Sequence, residues 1–140
     1  MTGRETILFV CLHASAKSLI AMEFFNRLAT EQGVQLRALS AGMEPDDTVP
    51  PDVVAGLAGD GFDVADRKPL ALTRALVAGA LAVISFGPHV DAPGAVPVTH
   101  WDDMPAVSDD YAHARDAIRS RVEALFAEVA GVNAARGAAS

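Results

Sequence analysis

The sequence predicts a single α/β domain, in which helices cover both faces of a four-stranded parallel sheet. Short and nearly continuous apolar runs recur along the chain, as expected of strands that are buried on both faces of a parallel sheet. Segments with apolar residues at helical spacing alternate with these runs, and this alternation favours parallel strands joined by helical crossovers. The length of 140 residues favours one domain.

The first strand is predicted from the run Thr6-Ile7-Leu8-Phe9-Val10-Cys11, which is apolar almost throughout. Pro97 has no N–H to donate, so the last strand is expected at an edge of the sheet. The other predicted strands cover 34–40, 81–86 and 96–101, and helices are predicted over 18–32, 51–60, 72–78 and 109–129. We assign residues 1–130 to the domain and expect the small and polar residues 131–140 to form a flexible tail.

Composition excludes several classes of function. The net charge of −7 argues against nucleic acid or an anionic membrane as a partner, and no apolar run reaches the ~18–20 residues of a membrane span. The single cysteine excludes a disulfide framework and a zinc site with several cysteines. No histidine has metal-ligand spacing, so neither a metal nor a resident cofactor is expected. A free thiol and the lack of an export-signal pattern predict a cytoplasmic protein.

The residues with catalytic chemistry lie between the first strand and the first helix, in Cys11-Leu12-His13-Ala14-Ser15-Ala16-Lys17-Ser18. Backbone N–H groups of such a loop converge, and the N-terminus of the following helix adds partial positive charge. Both effects favour a cysteine thiolate, and Lys17 adds a full positive charge. The segment therefore predicts a tetrahedral oxyanion bound by Leu12 through Lys17 and facing a nucleophile.

Each of these residues also has a structural interpretation. Cys11 could be an inert buried thiol at the end of a strand. Lys17 could be a solvated residue, although a lysine at a helix N-terminus opposes the helix dipole and so favours a bound anion. Asp102 and Asp103 could be loop or capping residues before the last helix.

Four segments in this order resemble the low-molecular-weight tyrosine phosphatases and the arsenate reductases that share their fold. Val10-Cys11, five residues and Lys17-Ser18 are similar to the signature of the family, which has Cys, five residues and Arg-Ser. The second segment is Ser40-Ala41-Gly42-Met43-Glu44-Pro45. The third is a pair of stretches, Val49-Pro50-Pro51-Asp52-Val53-Val54 and Arg67-Lys68-Pro69. The fourth is His100-Trp101-Asp102-Asp103-Met104-Pro105. The third segment resembles the arsenate-reductase branch of the family. The resemblance to the family as a whole covers roughly residues 6 to 127.

The resemblance implies a role for each site residue. Cys11 would be the nucleophile, Lys17 would hold the oxyanion and Ser18 would stabilise the thiolate. Asp102 or Asp103 would protonate the leaving group.

The sequence also departs from the family pattern. Lysine replaces the arginine, and a point charge contacts fewer oxygens than a planar fork. Ala14 stands where the family usually has an asparagine that braces the loop. Met104 precedes Pro105 where the family has its acidic aspartate. Phe86 stands where thioredoxin-linked arsenate reductases have a second cysteine, so an internal disulfide relay is impossible here.

These features leave two enzymatic functions open. One is a hydrolase of phosphate monoesters of the phosphotyrosine type, and the other is an arsenate reductase that uses an external small thiol such as glutathione or mycothiol as co-substrate. The alternative is a module that binds phosphate or another oxyanion without turnover. The expected ligand is phosphate, arsenate or a phosphorylated molecule in every case, and the protein would be a monomer or a homodimer.

Overall fold

The computed structural model describes the backbone from residue 6 to residue 139 and the side chains from residue 6 to residue 131. The strands are β1 (Thr6–Cys11), β2 (Arg37–Gly42), β3 (Leu70–Ala71), β4 (Ala82–Ser85) and β5 (Val98–His100). The helices are α1 (Lys17–Gln32), α2 (Pro51–Gly59), α3 (Arg74–Ala78) and α4 (Tyr111–Ala139). The single α/β domain with a parallel sheet is confirmed.

The sheet has five strands in the order β3-β2-β1-β4-β5, whereas the sequence predicts four. The additional strand, β3, consists of two exposed residues, which is too short for a hydrophobic pattern to indicate it. All the pairings are parallel, and β5 lies at an edge, as Pro97 indicates.

The central strand β1 pairs with β2 on one side and with β4 on the other. The chain therefore turns to opposite sides of β1, and the crevice at the carboxyl end of that strand is where open α/β sheets bind ligands. Cys11 is the last residue of β1 and lies beside Gly42, the last residue of β2.

Helices cover both faces of this sheet, as predicted. Ile7 and Phe9 of β1 contribute to a core that includes α1 and α4, whereas Leu8 and Val10 contribute to a smaller core that includes Val77 of α3. The alternation follows from the two-residue period of a strand. Both faces of β1 are buried, so the position of Cys11 is held from both sides.

The last helix is longer than the sequence predicts. It continues to Ala139 instead of ending near Val129, in a segment rich in alanine, which is the strongest helix former. The flexibility of residues 131–140 and the domain boundary at residue 130 stay predictions. Within the part of the chain that the structure describes, no helix is long and apolar enough to cross a membrane.

One carboxylate of α1 lies in the protein interior. Glu23 is only 9% exposed, and its Oε2 atom accepts no hydrogen bond within the described residues. The guanidinium of Arg67 lies 3.1 Å from that oxygen. Burial raises the pKa of the Glu23 carboxyl above its ordinary value, and the charge of Arg67 lowers it by a smaller amount. Folding therefore disfavours the ionised form of this side chain.

We expect Glu23→Gln to stabilise the protein at pH 7, by on the order of 1 kcal/mol, the usual scale for an unsatisfied buried polar group. Below the ordinary carboxyl pKa both folded and unfolded states are protonated, so the penalty is absent there. It develops as the pH rises through that value to the higher pKa of the folded state. Urea unfolding at pH 7 and pH 4 measures the difference, which should be much smaller at pH 4, just below the ordinary carboxyl pKa.

The control for this comparison is Glu31→Gln, which removes an exposed carboxylate from the same helix. A surface change of this kind should alter the free energy of unfolding by less than ~0.5 kcal/mol at both pH values. Loss of stability in Glu23→Gln at pH 7 would show that the attraction of Arg67 outweighs the cost of burial.

Candidate active site

Cys11 lies at the base of the loop that joins β1 to α1, and only 8% of its surface is exposed. Its Sγ atom accepts a hydrogen bond from the backbone N–H of Ala14 at 3.2 Å and lies 2.9 Å from the hydroxyl oxygen of Ser18. The Ser18 oxygen is in turn 2.7 Å from the hydroxyl oxygen of Ser40. A thiolate only accepts hydrogen bonds, so Ser18 then donates to Cys11 and accepts from Ser40.

The loop itself, Leu12 to Ala16, has a strained backbone at one residue. Ala14 has a φ of 57°, in the left-handed region that residues other than glycine rarely adopt. This conformation turns its N–H toward the sulfur. The backbone N–H groups of His13, Ser15 and Ala16 donate to no acceptor in the described protein. With the N-terminus of α1, these groups are available as hydrogen-bond donors to an anion.

Gly42 allows the loop to cross close to the end of β2. A Cβ atom at this position would lie 2.8 Å from both Ala14 N and Leu12 O and 2.9 Å from His13 C. All three contacts are with backbone, which cannot move away as the end of a side chain can. Glycine is therefore required here for the loop to take this path.

The segment after Gly42 is hydrogen-bonded to the outer side of the loop. Glu44 N–H donates to Leu12 O at 2.8 Å, and Asp46 N–H donates to His13 O at 3.1 Å. The Ser15 hydroxyl donates to Asp46 Oδ2 at 2.6 Å, and His13 Nδ1 lies 2.9 Å from Glu44 O. Two strands thus hold the loop: β1 carries it, and the residues after β2 brace it.

Lys17 is the first residue of α1, where it is partly buried. Its Nζ atom donates to Met104 O at 3.3 Å. The ammonium group therefore lies beside the loop before α4 and connects that loop to the cysteine loop. Its role as an oxyanion holder stays a prediction.

Asp102 and Asp103 lie in the loop before α4 and are exposed. Asp103 Oδ2 is 2.7 Å from a guanidinium nitrogen of Arg121 in α4, and Asp102 Oδ1 is 3.8 Å from His100 Nδ1. In the described residues neither carboxylate forms a hydrogen bond or an ion pair with Cys11 or its loop. Met104 follows them, and its carbonyl is the atom of this loop that contacts Lys17.

An open cleft lies beside the cysteine loop. Leu12 and Met43, which are 44% and 49% exposed, line it together with Phe86. Phe86 is mostly buried and packs against Phe9 and Trp101. Trp101 is also buried, so it is a core residue. The cleft therefore has an apolar part next to the cysteine loop, and Glu44, His89 and Asp91 form a polar part.

Two residues of this arrangement have no role in the sequence analysis. Ser40 and Asp46 lie in or next to the Ser-Ala-Gly segment, which the sequence indicates only as a family pattern. Their partners Ser18 and Ser15 are 22 and 31 residues away, so no local signal reports these bonds. Within the described part of the chain, no group of three or more His, Cys, Asp or Glu side chains could hold a metal ion.

Solved structures with a similar fold include arsenate reductases and a complex with a phosphonate. An arsenate reductase of Archaeoglobus fulgidus is 27% identical, with a TM-score of 0.69 over 86% of this chain and 98% of that chain. A thioredoxin-dependent arsenate reductase of Corynebacterium glutamicum is 22% identical, with a TM-score of 0.74 over 90% of this chain. The chain covers only 62% of the length of that protein.

Vibrio vulnificus Wzb, solved in complex with benzylphosphonate, is 16% identical and has a TM-score of 0.71 over 89% of this chain and 98% of its own. No curated protein sequence matches this chain significantly. The model of the family described as low molecular weight phosphotyrosine protein phosphatase matches residues 6–85, which is more than half of the chain. This match confirms the resemblance found in the sequence. The chain belongs to the low-molecular-weight phosphotyrosine protein phosphatase family.

Proposed function

We propose that this chain is an enzyme in which the Cys11 thiolate attacks a tetrahedral oxyanion, either a phosphate monoester or arsenate. The observation that carries the proposal is the environment of the sulfur. One backbone N–H and one buried hydroxyl lie within hydrogen-bonding distance of Sγ, at the base of a loop with further free N–H groups. An inert buried thiol needs neither donor, whereas both donors favour a thiolate, which is the nucleophilic form of cysteine.

With a phosphate monoester, an S–P bond forms as the P–O bond to the leaving group breaks. Loop N–H groups and Lys17 stabilise the charge on the other oxygens. Water then attacks phosphorus, which releases phosphate and restores the thiol. The apolar part of the cleft, formed by Leu12, Met43 and Phe86, suits an aryl leaving group.

With arsenate, the thiolate forms an S–As(V) bond and water leaves. An external thiol then attacks the Cys11 sulfur, which forms a mixed disulfide and expels arsenite. The two electrons that reduce As(V) to As(III) come from the two sulfurs, and a second external thiol restores Cys11. Because the chain has a single cysteine, these thiols come from outside the chain, and we propose a small thiol of the reducing cytoplasm as their source.

Turnover of a phosphate monoester also needs a proton donor for the leaving group. Asp103 is paired with Arg121, and Met104 occupies the position before proline. Proton donation typically contributes ~10²–10⁴-fold to the rate, and it matters little for p-nitrophenolate, which leaves as an anion. We therefore expect slow but measurable hydrolysis of p-nitrophenyl phosphate.

The test compares p-nitrophenyl phosphate with phenyl phosphate and phosphotyrosine. The rate should fall steeply as the leaving group becomes more basic. Asp102→Asn and Asp103→Asn are made separately, and the residue that acts as the acid should slow phosphotyrosine hydrolysis far more than hydrolysis of the nitrophenyl ester. A parallel assay with arsenate and glutathione or mycothiol measures thiol oxidation. Phosphate binding without turnover in any of these assays would instead support the oxyanion-binding module.

A further inference from the structure

We propose that Asp46 is a positioning residue for the cysteine loop, and that its carboxylate holds the loop in the conformation that binds an oxyanion. The proposal deepens the proposed function, because it concerns the same anion site. Asp46 lies outside the signature segment, four residues after the end of β2. It contacts two successive parts of the loop, through its side chain and through its backbone.

The closest side-chain contact is a short hydrogen bond from the Ser15 hydroxyl to Asp46 Oδ2, at 2.6 Å. Ser15 is only 3% exposed, so the bond is shielded from water on that side and is stronger than an exposed one. The other oxygen of the carboxylate, Oδ1, lies 3.6 Å from His13 Nδ1, in a more exposed and weaker contact. The backbone contact is the bond from Asp46 N–H to His13 O at 3.1 Å. Asp46 therefore fixes the residues on both sides of Ala14.

Ala14 is the residue that needs this support. Its left-handed conformation, with a φ of 57°, is unfavourable for alanine, and its methyl side chain makes no hydrogen bond that could offset the strain. The strain persists only where neighbouring contacts determine the conformation. Through Ser15 and His13, Asp46 supplies such contacts on either side of Ala14.

Because Asp46 is negatively charged, phosphate binding can distinguish a positioning role of its carboxylate from a purely electrostatic one. A carboxylate beside an anion site repels the anion, so removing it for electrostatic reasons alone should tighten phosphate binding. If the carboxylate positions the loop, removing it should weaken phosphate binding instead. The two roles predict changes of opposite sign.

The experiment measures the Kd of inorganic phosphate by calorimetry and the rate at which iodoacetamide alkylates Cys11, the single cysteine. We expect Asp46→Ala to raise the Kd about tenfold, the effect of losing one hydrogen bond to a charged group. Asp46→Asn keeps an acceptor oxygen for Ser15 and should remain within about threefold of the wild type. Ser15→Ala should raise the Kd at least as much as Asp46→Ala, because it loses the same hydrogen bond and keeps the repulsive carboxylate. The double variant should bind no more weakly than Ser15→Ala.

The matched control is Asp47→Ala, which removes the adjacent carboxylate without touching Ser15; its phosphate Kd should stay equal or fall slightly. Unchanged or tighter binding in Asp46→Ala overturns the proposal, and so does an equal loss in Asp47→Ala. If Asp46→Ala does not fold, Asp46→Asn and Ser15→Ala carry the comparison.

Neither readout requires turnover, so absence of catalysis in the wild type would contradict the proposed function alone. If the wild type binds no phosphate, a slower alkylation of Cys11 in Ser15→Ala and Asp46→Ala still supports the positioning role, and an unchanged rate opposes it.

Discussion

Cys11→Ser should abolish the hydrolysis of p-nitrophenyl phosphate while the protein still binds inorganic phosphate. Serine keeps nearly the same shape, so the loop amides that we propose as the anion-binding groups remain in place. The serine hydroxyl is not ionised near neutral pH, however. Among the residues that the structure describes, the groups within hydrogen-bonding distance of this position are the Ala14 N–H and the Ser18 hydroxyl, and neither is a base. Removal of a nucleophile from an active site typically lowers kcat by on the order of 10⁴-fold or more.

The measurement is the initial rate for both proteins, with phosphate affinity determined in parallel. Alkylation of the wild type by iodoacetamide gives an independent version of the same test, because the chain has a single cysteine. Bound phosphate should protect Cys11 from alkylation, and the alkylated protein should be inactive. Full activity in Cys11→Ser would exclude the proposed mechanism.

The sequence was sufficient to predict the parts of this fold that depend on local patterns. The uninterrupted apolar run of β1 marks a strand that is buried on both faces, and its predicted bounds agree with the structure. The apolar spacing that follows predicts α1 to within one residue at its start. Strand β3 has no such signal, because its two residues are exposed and pair with β2 only through the backbone.

The details of the site were less predictable because they depend on partners that are distant in the chain. The sequence predicts Cys11 at the end of a strand and Ser18 at the start of the next helix. A short loop between a strand and a helix brings these two positions close together, so their proximity is predictable. Nothing near Lys17 indicates that its ammonium group contacts the carbonyl of Met104, which is 87 residues away. The contact between Asp103 and Arg121 depends in the same way on the tertiary position of α4, which packs against α1.

We expect the second large effect from Gly42→Ala, because the end of β2 and the cysteine loop lie close together. Gly42→Ala places a methyl group 2.8 Å from two backbone atoms of the loop and 2.9 Å from a third. Either the loop or the end of β2 must shift, and overpacking of this kind typically lowers the free energy of unfolding by ~1–3 kcal/mol. The shift acts on Leu12, His13 and Ala14, which carry the Cys11 contact and the neighbouring amides.

We therefore expect Gly42→Ala to weaken phosphate binding and to lower the p-nitrophenyl phosphate rate by ~10²-fold, the scale for the loss of one preorganised oxyanion donor. The control is Gly59→Ala at the end of α2, where an added Cβ has no neighbour within 4 Å. Alanine is favoured over glycine in a helix by up to ~1 kcal/mol, so this variant should be equally stable or more stable and fully active. Urea unfolding and phosphate calorimetry on both variants measure the difference. If Gly42→Ala bound phosphate as the wild type does, the loop would not need its close approach to β2, and the anion site would have to be built from other donors.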